Sequence, residues 1–343
     1  MGTTGIVFDD VFRLHDPGPG HPESPRRLEA IEKRLKAGGQ WERLERVEAR
    51  EAGEEEVCLV HDHAYWKKVL ETAGRPVMLD PDTVTSAHSV EAARRAAGGT
   101  VELVKKVVEG GLSNGYALVR PPGHHAERAR AMGFCIFNNV AVAAEYAIRH
   151  LGLSRVAIVD WDLHHGNGTQ HAFYDRADVL YISTHQYPYY PGTGAAAEVG
   201  SGDGIGYTIN VPLHTGMDDE AFIDVFLRVV KPALRAFGPE LVLVSTGYDI
   251  YAGDPLGGMD VTGEGFGLLA AIVKEAAGET CGGRLVAVLE GGYNLEGLSE
   301  GVCNVVDVLL DKGVSVPDRP ASSRASGIIE QVIERHRGNL LQG

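Results

Sequence analysis

Short apolar runs alternate with amphipathic stretches along most of the chain. The runs "GIVF" (5–8), "YALV" (116–119), "RVAIVD" (155–160), "VLYIST" (179–184), "YTINVPL" (207–213), "LVLVST" (241–246) and "RLVAVLE" (284–290) read as strands. Several are apolar at every position rather than at alternate ones, the pattern of parallel strands covered on both faces. Helical periodicity lies between them. One helix opens at "SPRRLEAIEKRL", where Ser24 suits an N-cap and Pro25 the first turn, and others are expected over 86–109, 139–150, 218–236, 263–277 and 295–311. This alternation predicts an α/β chain with a mostly parallel central sheet and helices on both faces. No repeat, low-complexity tract or Pro/Ser-rich linker interrupts it, so one domain over 1–343 is expected. The tail "ASGIIEQVIERHRGNLLQG" (325–343) reads as an amphipathic helix packed on the body.

Polar clusters follow four of the strands. "RPPGHH" (120–125) follows "YALV", and "DWDLHHGNGTQ" (160–170) closes "RVAIVD". "GYDIYAGDP" (247–255) follows "LVLVST", and "GGYNLEG" (291–297) follows "RLVAVLE". Ligands of open parallel sheets bind beyond the carboxyl ends of the strands. Four clusters at one end therefore predict an active site there.

The residue types narrow the chemistry. Side chains of extended chain alternate faces, so Asp160, Asp162 and His164 can share a side. Asp162 and His164 make a metal pair, and Asp249 at another strand end is the obvious third ligand. One imidazole and two carboxylates suit zinc or ferrous iron, with a coordination position left for water or substrate. His124 and His125 sit in a rigid Pro/Gly turn; neutral imidazole near physiological pH takes and returns protons. Asp160 is placed to hold the first histidine's tautomer. Tyr293, in "EGGYN", offers a phenolic donor to an oxyanion.

Composition adds exclusions. The 343 residues carry a formal charge of −15, which disfavours nucleic acid and favours a cationic ligand. Cys58, Cys135, Cys281 and Cys303 are widely spaced, arguing against disulfides and a thiolate zinc site and for reduced, mostly buried thiols. No apolar stretch reaches membrane-spanning length and the first residues lack a signal-peptide pattern, so a cytoplasmic location is expected.

With these residues on the page, the chain resembles the histone deacetylase family of the arginase/deacetylase superfamily. The likeness runs from "GHPESPRRLEAI" (20–31) to about residue 312, through "RPPGHHA", "GFCIFNN" (133–139), "VDWDLHHGNGTQ", "YYPGTG" (189–194), "STGYDIYAGDPLGGM" (245–259) and "LEGGYN" (289–294). It is greatest for the class II enzymes and bacterial histone deacetylase-like amidohydrolases. The resemblance implies one zinc ion on Asp162, His164 and Asp249. It implies an acid/base pair in His124 and His125, the second as base, and an oxyanion donor in Tyr293. Asp160 would support His124 and, with Ser183, a structural potassium ion. Gly133, Phe134, Tyr190 and Leu256 would line an acyl-lysine channel, with Asp82 at its rim and Arg27 lining an internal product channel. Asn167 stands where class I enzymes have aspartate, and Tyr190 where phenylalanine is common.

The activity implied is zinc-dependent removal of acetyl groups from lysine-like amines, in proteins, peptides or small acetylated amines. An acetylpolyamine deacetylase is the alternative. An arginase-like dimanganese site lacks carboxylates at Gly166 and Tyr251, and intact His124, His125 and Tyr293 speak against an inactive acyl-lysine binding module. No nucleic-acid or membrane partner is expected, and a homo-oligomer is left open.

Overall fold

The computed structural model describes residues 2–317 and 324–341. Its strands are β1 (Thr4–Val7), β2 (Glu45–Val47), β3 (Met78–Asp80), β4 (Thr83–Val84), β5 (Asn114–Ala117), β6 (Val156–Asp160), β7 (Val179–Gln186), β8 (Thr208–Leu213), β9 (Leu241–Thr246) and β10 (Leu285–Leu289). Eight of them form one sheet in the order β2-β1-β5-β10-β9-β6-β7-β8, every neighbouring pair parallel. β3 and β4 make a separate antiparallel hairpin. The architecture is a single α/β domain with helices flanking a parallel sheet, as the alternating pattern predicts.

The continuously apolar runs are buried at every position in β6, β9 and β10. Helices Ser89–Val108 and Asn139–Leu151 pack together in one layer, while Arg26–Ala37, Gly263–Cys281 and Leu295–Leu309 pack in another. Burying both faces in this way removes apolar side chains from water and is the main stabilising term of the fold. Helix Ser326–Arg335 lies against the edge strand β8. Among the described residues no helix is long and apolar enough to cross a membrane.

Several expected boundaries move for identifiable reasons. The strand expected at 116–119 is β5, Asn114–Ala117; Asn114 and Gly115 read as turn residues, yet a Cβ at Gly115 would meet Leu103 Cδ1 at 2.5 Å. The helix expected over 218–236 contains a π turn, Phe226–Val230, before Lys231–Phe237. Pro232 has no N–H and its ring crowds the preceding turn, so the backbone widens there. The tail helix stops at Arg335 rather than continuing to 343: Gly338 takes φ +82° in a turn that follows. Residues 342 and 343 of that expectation lie outside the described residues. The edge strand β2 and the hairpin β3–β4 are too short to stand out in the apolar pattern.

Candidate active site

Strands β5, β10, β9 and β6 are consecutive in the sheet, so the four polar clusters that leave their carboxyl ends meet side by side. Asp160 ends β6, and Asp162 and His164 follow on the loop. Asp249 follows β9 by three residues. One ligating atom from each of Asp162, His164 and Asp249 lies within 4.8 Å of the other two, and all three residues are buried. His164 Nδ1 is 3.2 Å from Asp162 Oδ1 and 3.1 Å from Asp249 Oδ2. The remaining carboxylate oxygens are fixed by backbone: Gly291 N–H donates to Asp162 Oδ2 at 2.8 Å and Leu163 N–H to Asp249 Oδ1 at 2.8 Å.

The electrostatics of this trio suit a cation. Burial, then the neighbouring Asp162 charge, pushes the Asp249 carboxyl up to about 7. Burial alone would lower His164, but hydrogen bonds to Asp162 and Asp249 raise it to about 9. The Asp162 and Asp249 carboxyls thus both lean on the His164 imidazole, and a dication would neutralise both. The oxygen and nitrogen donors suit zinc or ferrous iron.

The histidine pair lies beside the trio. Gly123 and His124 N–H groups both donate to Glu290 Oε2, at 2.7 and 3.1 Å, which ties the "PPGHH" loop to the end of β10. His124 Nδ1 is 3.1 Å from Asp160 Oδ2, and His125 Nδ1 is 2.7 Å from Asn167 Oδ1. Asn167 Nδ2 donates to the Glu127 carboxylate, so its Oδ1 is the acceptor and His125 carries its proton on Nδ1. His125 Nε2 is then the basic nitrogen. Burial would lower His124, yet Asp162 and Asp160 raise it to about 10. Burial, then repulsion from His124 and His164, holds His125 well below its ordinary value. Environment therefore drives the two adjacent imidazoles apart, His124 toward its charged form and His125 toward its neutral one.

A cavity of about 170 Å³ opens over these groups, lined by Asp82, His125, Gly133, Phe134, His164, Tyr190, Leu256 and Tyr293. Gly133 and Phe134 both take positive φ, 56° and 67°. Asp82 Oδ1 accepts from Gly133 N and Thr83 Oγ1 accepts from Phe134 N, each at 3.0 Å, which aims the Phe134 ring into the opening. A Cβ at Gly133 would lie 2.2 Å from His125 Cδ2, so no other residue fits against that ring. Tyr189 stacks on His164 with ring centroids 5.7 Å apart, and Tyr190 meets His125 edge-on at 5.2 Å. Tyr293 faces Phe134 at 5.8 Å, with the Arg27 guanidinium 5.2 Å from its ring centre.

The histone deacetylase domain family model matches residues 21–309. The chain belongs to the histone deacetylase domain family. Histone deacetylase 15 of Arabidopsis thaliana is 43% identical over 318 residues, covering 90% of this chain and 57% of that protein. Polyamine deacetylase HDAC10 of Homo sapiens is 43% identical over 333 residues, covering 90% of this chain and 48% of that protein. The chain thus spans about half the length of these two relatives. A probable deacetylase of Archaeoglobus fulgidus is 38% identical, with 86% of this chain and 82% of that protein covered. The crystal structure of the HDA15 HD domain superposes with TM-score 0.91 at 40% identity, covering 97% of this chain and 94% of that one.

Other sequence-predicted residues sit deeper. Arg27 is fully buried behind Tyr293; its Nε donates to Gly292 O at 2.7 Å and its Nη1 to Glu23 Oε1 at 3.1 Å. Ser183 is paired with Asp160 across β6 and β7. At Gly166, a Cβ would be 2.3 Å from Asp160 Oδ2, so a side chain there would displace Asp160.

Four residues that support the site are given no role by the sequence reading. Glu23 is buried between Arg27, Arg120 and His15; burial would raise its carboxyl, but Arg120 and His15 hold it well below the usual range. Asp254 Oδ2 accepts from Tyr293 N and Asn294 N at 2.7 and 2.9 Å, joining the β9 and β10 loops. His165 and His185 clamp the loop that carries Tyr189 and Tyr190: His165 Nδ1 is 2.7 Å from Thr193 Oγ1, and His185 Nε2 is 2.8 Å from Gly194 O. Glu23 in "HPESP", Asp254 in "AGDP" and His165 in "LHHG" lie inside quoted motifs, so chemistry-bearing residues within motifs were the available signal.

Proposed function

We propose that this chain is a metal-dependent deacetylase that hydrolyses the amide of acetyl-lysine, in a protein or peptide, to free amine and acetate. The observation that carries the reading is a buried Asp162–His164–Asp249 trio at the cavity lined by His125, Phe134, Tyr190, Leu256 and Tyr293. Asp162, His164 and Asp249 would hold one zinc ion; bound there, it supplies Lewis acidity toward the acyl carbonyl and toward water. The chain's own groups do the rest. His125, neutral with Nε2 unprotonated, takes the proton of the attacking water. His124, charged against Asp160, supplies a proton to the departing amine. Burial, then the Asp249 charge, raises the Tyr293 phenol well above its ordinary value, so it stays protonated and donates to the oxyanion.

Phe134, Tyr190 and Leu256 give the lysine methylenes apolar walls, and Gly133 keeps the His125 side open. Asp82 at the rim receives the substrate amide N–H. Arg27 borders the path of the released acetate. Asp160 and Ser183 supply oxygen donors of the kind potassium takes. His185 Nε2–H donates to Gly194 O, so His185 Nδ1 accepts from the Ser183 hydroxyl and leaves that oxygen's lone pairs for a cation.

Likeness to a polyamine deacetylase makes an acetylated polyamine the rival substrate, which differs in carrying a second ammonium. Leu256 offers that charge nothing. Zinc-loaded protein assayed for acetate release should have a higher kcat/KM on acetyl-lysine peptides than on acetylspermidine. Release from the polyamine alone would give the rival reading, and release from neither would make the chain a binding module.

A further inference from the structure

Three unlike donors also meet at the surface, outside the cavity. Glu54 and Cys58 stand one helical turn apart, with Cys58 N–H donating to Glu54 O at 2.8 Å, and His63 opens the helix His63–Leu70. His63 Nδ1 is 2.9 Å from Glu54 Oε1. A ring nitrogen of His63, the Cys58 sulfur and a Glu54 carboxylate oxygen all lie within 4.8 Å of one another. Glu54 and His63 are exposed, and Cys58 is the one free cysteine that is not buried.

The geometry points to a second metal site: Glu54, Cys58 and His63 bind one divalent ion of the zinc class, with water in the fourth position. Thiolate, imidazole and carboxylate together are a zinc donor set. Standard bond lengths place tetrahedral donors roughly 3.4–3.6 Å apart. Glu54 and His63 are exposed, so both side chains can change rotamer toward that spacing. On binding, the Cys58 thiol loses its proton to solvent, the His63 ring carries its proton on the nitrogen that does not ligate and so gives up the hydrogen bond to Glu54, and sulfur, imidazole nitrogen and carboxylate oxygen each donate an electron pair to the ion. The dication neutralises the two anionic ligands.

The ion would tie the helix Glu54–Val57 to the helix His63–Leu70 across the turn that carries His61. That turn supports the catalytic loop, since His61 Nε2 accepts from Asn138 N at 2.9 Å and His61 Nδ1 donates to Glu127 O at 2.9 Å. The site is therefore structural, and acts on the stability of the segment rather than on turnover.

The test uses the 343-residue chain carrying one equivalent of zinc, titrated with Co²⁺. Wild type should take up a further equivalent and develop a thiolate-to-cobalt charge-transfer band in the near ultraviolet; Asp162, His164 and Asp249 include no sulfur, and Cys58→Ser separates a Cys58 band from one at Cys135, which lies buried near His124 and Glu290. Cys58→Ser should lose the band, and His63→Ala should bind at least 10-fold more weakly. Both variants should keep wild-type acetate release and, in chelator, the wild-type unfolding temperature, while only wild type gains unfolding temperature on adding metal. No further equivalent in wild type, or a band that survives Cys58→Ser, overturns the site. Neither result depends on whether the chain is a deacetylase.

Discussion

Substituting Gly291 by alanine would show whether the two metal-facing carboxylates are held where an ion needs them. Gly291 follows β10, and its N–H donates to Asp162 Oδ2 at 2.8 Å. A methyl group there would lie 2.4 Å from Asp249 Oδ2 and 2.6 Å from Asp162 Oδ2, where ordinary contact begins at 3.4 Å. Each oxygen must therefore move by about 1 Å, several times the roughly 0.2 Å latitude of metal–ligand distances. Misplaced supports of metal ligands cost about 10–100-fold in affinity, or about 1.4–2.8 kcal/mol. Metal-free wild type and Gly291→Ala, titrated with zinc against a chromogenic chelator, should differ by at least that tenfold, and excess zinc should restore part of the acetate release. Gly278→Ala is the control. Gly278 is exposed on the helix Gly263–Cys281 with open space where its Cβ would be, so this change should leave zinc affinity alone and add about 0.4–1 kcal/mol of stability. A folded Gly291→Ala protein with wild-type zinc affinity would refute the reasoning.

Tyr293→Phe keeps the ring against Phe134 but removes the donor, so kcat should fall by about 10²–10³, or about 2.7–4 kcal/mol, with zinc content unchanged; a nearly fully active variant would make Tyr293 a packing residue. Leu256→Glu should shift kcat/KM toward acetylspermidine by roughly 5–150-fold, the effect of about 1–3 kcal/mol from a partly solvated charge pair, and no shift would remove Leu256 from the channel's selectivity. Acid should destabilise the fold through His61, which burial lowers from 6.5 to about 4. The unfolded chain binds that proton first, so stability from neutral His61 is complete above about pH 6.5 and is lost as the pH falls to about 4, a difference of about 3 kcal/mol. Denaturant unfolding at pH 7.5 and 5.0 measures it, and His61→Asn should flatten the slope; an unchanged slope would contradict the assignment.

The site was legible because its chemistry is local to strand ends. "RVAIVDWDLHH" announces a buried strand and, within a few residues, Asp160, Asp162 and His164 on the side that β6 presents to the cavity. Asp249 could be joined to them although 85 residues separate it from His164, because β6 and β9 share one direction and the rule for parallel sheets puts both exits together. What stayed hidden depends on partners rather than residue types. His165 is as strong a ligand by composition as its neighbour His164, yet it turns away to Thr193. The sequence pairs Asp160 with His124, but the charge difference between His124 and His125 also needs Asp162, His164 and Asn167 in place, and neither spacing nor periodicity sets those against the rings. β2, β3 and β4 were invisible for a simpler reason: two or three residues do not make a period.

Metal-free protein titrated with zinc while acetate release from an acetyl-lysine peptide is followed tests the central claim most directly. Activity should be absent without metal, rise in proportion to zinc and saturate at one equivalent, with Asp249→Ala inactive at every zinc concentration. Full turnover in the metal-free protein, or an active Asp249→Ala, would contradict the assignment of Asp162, His164 and Asp249 as the catalytic metal site.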